Sequence, residues 1–87
     1  MIMEEKKLVG TIEHYFAKAG VAVVNLEGEL SIGDKISIEG MTTNLQQAVE
    51  SMQIDHEPVE PAKPGDDIGL KVSDKVRPGD QVYKIIG

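Results

Sequence analysis

The stretch Ala62-Lys63-Pro64-Gly65-Asp66-Asp67-Ile68-Gly69-Leu70 decides the fold of this chain. It joins a proline, a glycine and an aspartate, which favour a tight turn, to aliphatic residues that alternate as they do in a β-strand. The Gly-Asp pair occurs twice more before an aliphatic run, at Gly33-Asp34 and at Gly79-Asp80. Three turns that each start a strand within 87 residues predict a small all-β domain.

The remaining strands follow from alternating and β-branched residues. Strand-forming stretches cover residues 8–16, 21–26, 35–39, 67–72 and 81–86. Residues 44–54 are ambiguous: four aliphatic positions recur there at the spacing of an amphipathic helix, the strand pattern fits less well, and periodicity alone favours the helix. Five or six strands in a flat sheet would leave exposed edges, so closure into a small barrel is predicted. Residues 1–7 are charged and predicted to be flexible, and residues 8–87 to form one domain.

Composition limits the possible functions. The formal net charge is −6, which opposes strong, non-specific binding of nucleic acids. The chain has no cysteine, so disulfides, cysteine-based zinc sites and thiol catalysis are excluded. Its first residues have no apolar secretory region, and no apolar run reaches the roughly 20 residues of a membrane span. The prediction is a soluble, cytoplasmic protein.

The residues that usually carry catalysis are not arranged for it in this sequence. No phosphate-binding glycine loop precedes a lysine, so the chain alone is not expected to bind GTP or to hydrolyse it. His14 and His56 are interpreted as surface histidines, and no serine has the context of a nucleophile. The sequence therefore predicts no enzyme activity, no catalytic residue, no metal site and no cofactor.

The basic residues have two interpretations. If the first and last strands are neighbours in a barrel, a basic patch could form. Its candidate members are Lys18, Lys71, Lys75 and Arg77. The alternative is that these residues are counter-charges scattered among fifteen acidic residues, and the net charge favours this alternative.

Four stretches resemble the second domain of translational GTPases, most closely that of the archaeal and eukaryotic elongation factors that carry aminoacyl-tRNA. Residues 49–59 are similar to a strand and a His-Glu-Pro-like connection of that domain, and residues 62–70 to its Pro-Gly-Asp turn. Residues 28–36 and 76–82 resemble two further turns. The resemblance covers about residues 8–86. It implies a closed antiparallel barrel of six or seven strands, in which residues 44–54 form a strand.

The resemblance also implies a site. In the elongation factors this domain helps to hold the aminoacylated end of the tRNA, and three pocket positions match Gln53, His56 and Asp67. Glutamate is usual at the first position and asparagine at the third, so Gln53 and Asp67 depart from the family pattern. The implied function is a non-catalytic binding module that contacts RNA, tRNA or a protein associated with translation or tRNA modification.

Two other roles are compatible with this sequence. A similar barrel occurs as an accessory C-terminal domain of collagenase-like peptidases linked to tRNA modification, which is compatible with an adaptor. The alternative function is a protein-interaction or structural domain without a nucleic-acid role, which the acidic net charge favours.

Overall fold

The computed structural model describes residues 5–55 and 57–86. Within these residues every regular element is a β-strand. The strands are β1 (Glu5–Phe16), β2 (Val21–Leu26), β3 (Lys35–Glu39), β4 (Asn44–Ala48), β5 (Met52–Ile54), β6 (Glu57–Pro58), β7 (Asp67–Lys71) and β8 (Gln81–Ile86). The prediction of an all-β fold is therefore confirmed.

The first strand begins inside the segment 1–7, for which the sequence predicts flexibility. Residues 5–7 belong to β1 and pair with residues 84–86 of β8. A charged residue of this segment forms an ion pair within the sheet: Lys6 Nζ lies 2.6 Å from a carboxylate oxygen of Glu39. The same ammonium group lies 5.6 Å from the centroid of the Tyr83 ring, within the range of a cation–π contact.

The strands form one antiparallel sheet in the order β4-β3-β8-β1-β2-β7-β5-β6. Its edge strands, β4 and β6, are not paired with each other in the described residues, so the strand pairing does not form the predicted closed barrel. β6 has two residues, and one of them, Pro58, has no N–H to donate. At the other edge the side chain of Gln47 reaches the end of β7. Its Nε2 donates to the Lys71 carbonyl at 2.8 Å, and its Oε1 accepts from Ser73 N–H at 2.7 Å.

The three Gly-Asp turns share one geometry. Their glycines, Gly33, Gly65 and Gly79, have φ values of 92°, 93° and 92°. In each turn the aspartate N–H donates to the carbonyl three residues earlier, at 3.1 to 3.2 Å. The aspartate carboxylate in turn accepts from the N–H of that earlier residue, at 2.9 to 3.0 Å. These are the features of a type II turn with a glycine at its third position, and β3, β7 and β8 begin directly after the three aspartates.

Residues 44–54 form strands, as the family resemblance implies and against the helical periodicity. They form two strands rather than one, because the chain leaves β3 after Ala48. Val49 is bonded to the first Gly-Asp turn: its N–H donates to the Asp34 carbonyl at 2.8 Å, and its carbonyl accepts from Gly33 N–H at 2.9 Å. The chain then pairs with β7 through β5.

The core is aliphatic and lies on the inner face of the curled sheet. Burying a valine, leucine, isoleucine or methionine side chain of this core stabilises the fold by about 1.5–3 kcal/mol. The buried members are Val9, Ile12, Ala22, Val24, Leu26, Leu30, Ile36, Ile38, Val49, Met52, Ala62, Ile68, Leu70, Val72, Val76 and Val82.

A β-bulge near the end of β1 changes which residues face the core. Ile12 is paired with Val24 and His14 with Val23, so Glu13 is an extra residue in the ladder. Without the bulge, alternation from the buried Ile12 would turn His14 inward. With it, His14 is exposed. A bulge of this kind bends a strand and redirects its side chains.

Candidate functional site

Four neighbouring strands, β1, β2, β7 and β5, present a common face away from the core. The outward residues of β2 include Val23 and Asn25, because their neighbours in the strand are buried. Val23 is paired with Gly69 of β7, which is also paired with Gln53 of β5. In the next outward row, Asn25 is paired with Asp67. The face therefore carries rows of side chains that cross several strands.

A groove of about 780 Å³ lies on this face. Val21, Val23 and Gly69 line its centre, the turn after Phe16 lines one side, and Asp55 lines the other. Gly69 leaves the centre without a side chain. A Cβ at that position would meet only Val21 Cγ1, at 3.4 Å, and a backbone oxygen at 3.7 Å. The groove thus has an apolar floor between two turns, and its size is typical of ligand sites.

Phe16 is the most exposed aromatic residue of the groove. It is the only phenylalanine of the chain, and 54% of its surface is accessible. Its ring centroid lies 6.4 Å from that of His14, with the two rings inclined by 39°. The bulge at Glu13 explains why both rings face outward, since it shifts the alternation of β1 by one residue. An exposed phenylalanine beside an apolar floor suits contact with another molecule.

Two carboxyl groups meet at the edge of the groove. Asn25 Nδ2 donates to Asp67 Oδ1 at 2.8 Å. The pKa of Glu13 is raised above 4.5, first by a side-chain hydrogen bond with Asp67, then by desolvation and by the negative charge of Asp67, while His14 acts in the opposite direction. The bulge therefore places a second carboxyl beside the one that lines the groove.

The groove contains two of the three pocket residues that the elongation-factor resemblance implies. Gln53 and Asp67 both line it, and His56 lies outside the described residues. Lys18, a candidate of the basic patch, lines the same groove from the turn between β1 and β2. The strand order brings these residues together, because β7 lies between β2 and β5.

The other candidates of the basic patch line different cavities. Lys71 borders a cavity of about 300 Å³, where its ammonium group lies 3.8 Å from the Glu50 carboxylate. Lys75 and Arg77 share a separate polar cavity of about 280 Å³ with the beginning of β4. The four candidates are thus distributed over three cavities. The exposed ion pair of Lys71 contributes little to stability.

No metal-binding cluster of three histidine, aspartate or glutamate side chains is present in residues 5–55 and 57–86. The same residues contain no helix that is long and apolar enough to cross a membrane. What the groove offers chemically is an apolar floor, a phenylalanine ring, and polar groups that include two carboxyls. These groups suit non-covalent binding of a chain-like or amphipathic ligand.

Sequence reasoning missed three features of this site: Phe16, Glu13 and Gly69. The signal for Phe16 and Glu13 was a break in alternation, because Ile12 and Tyr15, which both pack on the core, cannot face the same side of a regular strand. The signal for Gly69 was a glycine inside a predicted strand, which often marks a place where another molecule approaches the backbone.

Comparisons with known proteins point to peptidases. No protein-family model matches the sequence. The chain is 43% identical over 76 residues to an uncharacterized protease of Methanocaldococcus jannaschii, with 86% of this chain and 19% of that protein covered. It is 43% identical over 82 residues to a collagenase of Porphyromonas gingivalis, with 92% of this chain and 23% of that protein covered. The chain therefore spans about a fifth of the length of these relatives.

The fold is similar to that of a solved domain. The C-terminal domain of a Geobacillus thermoleovorans protein, described as a U32 peptidase, has a TM-score of 0.85 and 22% sequence identity. The similarity covers 90% of this chain and 99% of that domain. At 22% sequence identity, this similarity concerns the fold alone.

These findings correct the main functional predictions. The assignment to the second domain of the elongation factors that carry aminoacyl-tRNA is wrong, because the relatives are named protease and collagenase and the similar solved domain comes from a U32 peptidase. The prediction of a translation-type binding module is therefore wrong as well. The prediction of no enzyme is contradicted by the same names. Collagenase-like peptidases are also named above as proteins with a similar accessory domain, and the Porphyromonas gingivalis relatives are named collagenase. RNA as a partner stays a prediction.

Proposed function

We propose that this chain is a domain of a peptidase-family protein and that it binds polypeptide substrate in the groove on its outer sheet face. The names of its relatives support the first part, since both a protease and a collagenase contain a stretch that is 43% identical to nearly the whole chain. The chain matches about a fifth of each relative, which is the size expected of one domain among others. The second part rests on the groove itself.

The observation that carries this proposal is Phe16 beside an open apolar floor. An aromatic side chain with 54% of its surface exposed is available to a ligand, and the absent side chain at Gly69 leaves room on the floor of the same groove. A polypeptide segment could place one apolar side chain on Gly69, beside Val21 and Val23, with Phe16 next to Val21, its pairing partner in β2. Removing an apolar side chain of this size from water is worth about 1.5–3 kcal/mol, which is enough to select for such a residue.

The test uses the whole chain and a fluorescein-labelled extended peptide that has leucine at its centre and neutral polar residues elsewhere. Fluorescence anisotropy gives the dissociation constant. Phe16→Ala should weaken binding by about 10-fold or more, because each 1.4 kcal/mol of lost contact corresponds to a factor of ten. Ile32→Ala is the matched control, since Ile32 is 46% exposed and lies outside the lining of the groove.

A second variant fills the space above the groove floor instead of removing a contact. In Gly69→Val, only Val21 Cγ1 and one backbone oxygen lie within 4 Å of the added Cβ, so the sheet should remain folded. This variant should abolish peptide binding while the free energy of unfolding stays within about 1 kcal/mol of the original. If the original chain does not bind the peptide, or if Ile32→Ala weakens binding as much as Phe16→Ala, the groove is not a polypeptide site.

We propose in addition that the curled sheet behaves as a closed barrel in solution. The support is Gln47, whose side chain spans from the edge strand β4 to the Lys71 carbonyl and to Ser73 N–H. Two hydrogen bonds from one side chain replace the backbone ladder that the short edge strands do not provide. Closure matters for the groove, because β7 both accepts this link and forms part of the groove floor.

A further inference from the structure

We propose that the groove selects a polypeptide segment in which an apolar side chain and a lysine or arginine lie two positions apart, with the cation bound by Glu13 and Asp67. This inference rests on the function proposed above, because it names the substrate class of the same groove. It follows from the position of the two carboxyls relative to the apolar floor, and from the charges along the groove.

The spacing comes from β7. Gly69, where the apolar side chain would sit, and Asp67 both face outward, two residues apart in the same strand. Two residues of a strand span roughly 6.6 Å, and an extended ligand has the same repeat, so its residues at positions i and i+2 face the same side. A ligand that lies along β7 with an apolar residue over Gly69 therefore places its next side chain on that face beside Asp67.

The negative charge of Glu13 and Asp67 favours a cationic side chain at that position of the ligand. Asp67 is fixed by the amide of Asn25, 2.8 Å from its Oδ1, and the bulge of β1 brings Glu13 close enough to interact with it. The described side chains give this carboxyl pair no lysine or arginine partner in a salt bridge. Lys18 also lines the groove, but it belongs to the turn beyond β1, past the row of His14. A guanidinium can bind two carboxylates with several charge-assisted hydrogen bonds.

The protonation of Glu13 provides a second readout. Its pKa is raised because a hydrogen bond to Asp67, desolvation and the charge of Asp67 all favour the protonated form, while His14 opposes this. A bound cation favours the ionised form, so affinity for a cationic ligand should increase as pH rises through the pKa of Glu13. Besides Asp67, the charged residues that line the groove are Asp55 and Lys18.

The experiment compares three peptides that differ at one position. Each has leucine at its centre, and the residue two positions away is lysine, norleucine or glutamate; a second set places that residue on the opposite side of the leucine, to cover both chain directions. The original chain should bind one of the two lysine peptides about 5- to 10-fold more tightly than its norleucine counterpart, and the glutamate peptide least tightly. The preference should decrease with added salt and below the pKa of Glu13.

The double variant Glu13→Gln with Asp67→Asn separates selectivity from binding. The amide introduced at position 67 keeps an oxygen for the amide of Asn25, so the fold should be retained. This variant should bind all three peptides equally, with the affinity of the norleucine peptide for the original chain. If binding requires Phe16 but lysine and norleucine peptides bind alike, the charge selection is wrong and the polypeptide site stands. If no peptide binds, the proposed function itself is overturned.

Discussion

Replacing the turn glycines with alanine tests whether the three Gly-Asp turns hold this fold in the way their geometry suggests. The change is Gly→Ala at positions 33, 65 and 79, one at a time. Each glycine has a φ near +92°, and a Cβ added at any of them meets no atom within 4 Å. Steric overlap with neighbours is therefore absent, and the cost is that of holding an L-residue at positive φ, about 1–2 kcal/mol.

A control variant separates the cost of positive φ from the other effects of replacing glycine with alanine. Gly69→Ala introduces the same methyl group in a strand, at a φ that other residues adopt, with its nearest neighbour at 3.4 Å. Alanine at such a position lowers the entropy of the unfolded chain and should stabilise the protein by about 0.4–1 kcal/mol. The turn variants and the strand variant should therefore differ by roughly 2 kcal/mol in the free energy of unfolding.

The assay is urea unfolding followed by far-UV circular dichroism, with the slope of the transition checked for each variant. Because the three turns have the same φ and the same hydrogen bonds, their alanine variants should agree within about 0.5 kcal/mol. A D-alanine at position 79, introduced by chemical ligation, should recover the loss, since a D-residue prefers positive φ. Turn variants as stable as Gly69→Ala, or a D-alanine variant as unstable as the L-alanine one, would refute the reasoning.

Three further predictions rest on single side chains: one concerns the closure of the sheet and two concern the response to pH. Gln47→Ala should lower the free energy of unfolding by about 1–3 kcal/mol, because two hydrogen bonds are lost, whereas the exposed neighbour Gln46→Ala should change it by less than about 0.5 kcal/mol. The pKa of Glu39 is lowered, first because Lys6 donates a hydrogen bond to it. The contribution of Glu39 to stability is therefore present above pH 4.5 and is lost as pH falls through the lowered pKa. Glu39→Gln should reduce this loss of stability at acid pH, as measured by urea unfolding at several pH values. Glu13 has a raised pKa, so its contribution is present below pH 4.5 and is lost as pH rises through the raised value, and Glu13→Gln should remove that decline.

The parts of the fold that sequence predicts well are those fixed by local chemistry. A glycine at positive φ followed by a reciprocally bonded aspartate requires only four consecutive residues, so the starts of β3, β7 and β8 can be identified without knowing their partners. Closure of the sheet depends instead on contacts between distant residues. The link from Gln47 to Ser73 joins positions 26 apart, and no local pattern signals it.

The residues of the candidate site also fall into those that the sequence identifies and those that it does not. Gln53 and Asp67 were identified through a resemblance that assigned them to the wrong family of proteins, yet both line the groove, because any sheet with this strand order places them on one face. Phe16 could not be placed by alternation. One extra residue, Glu13, reverses the direction of every side chain that follows it in β1, and the broken alternation of Ile12 and Tyr15 becomes a signal only once both are known to pack on the core.

This contrast explains why turn motifs suggested a translation factor while the relatives are peptidases. A Gly-Asp turn determines where a strand begins and hence which of its residues face outward; it does not determine what those residues are. The proposed binding uses outward positions, namely Phe16, Gly69 and the carboxyl pair of Glu13 and Asp67, and none of them belongs to the glycine–aspartate pairs themselves. Two domains can therefore share all three turns and bind different partners, and substitutions on the outer face should change binding without changing the fold.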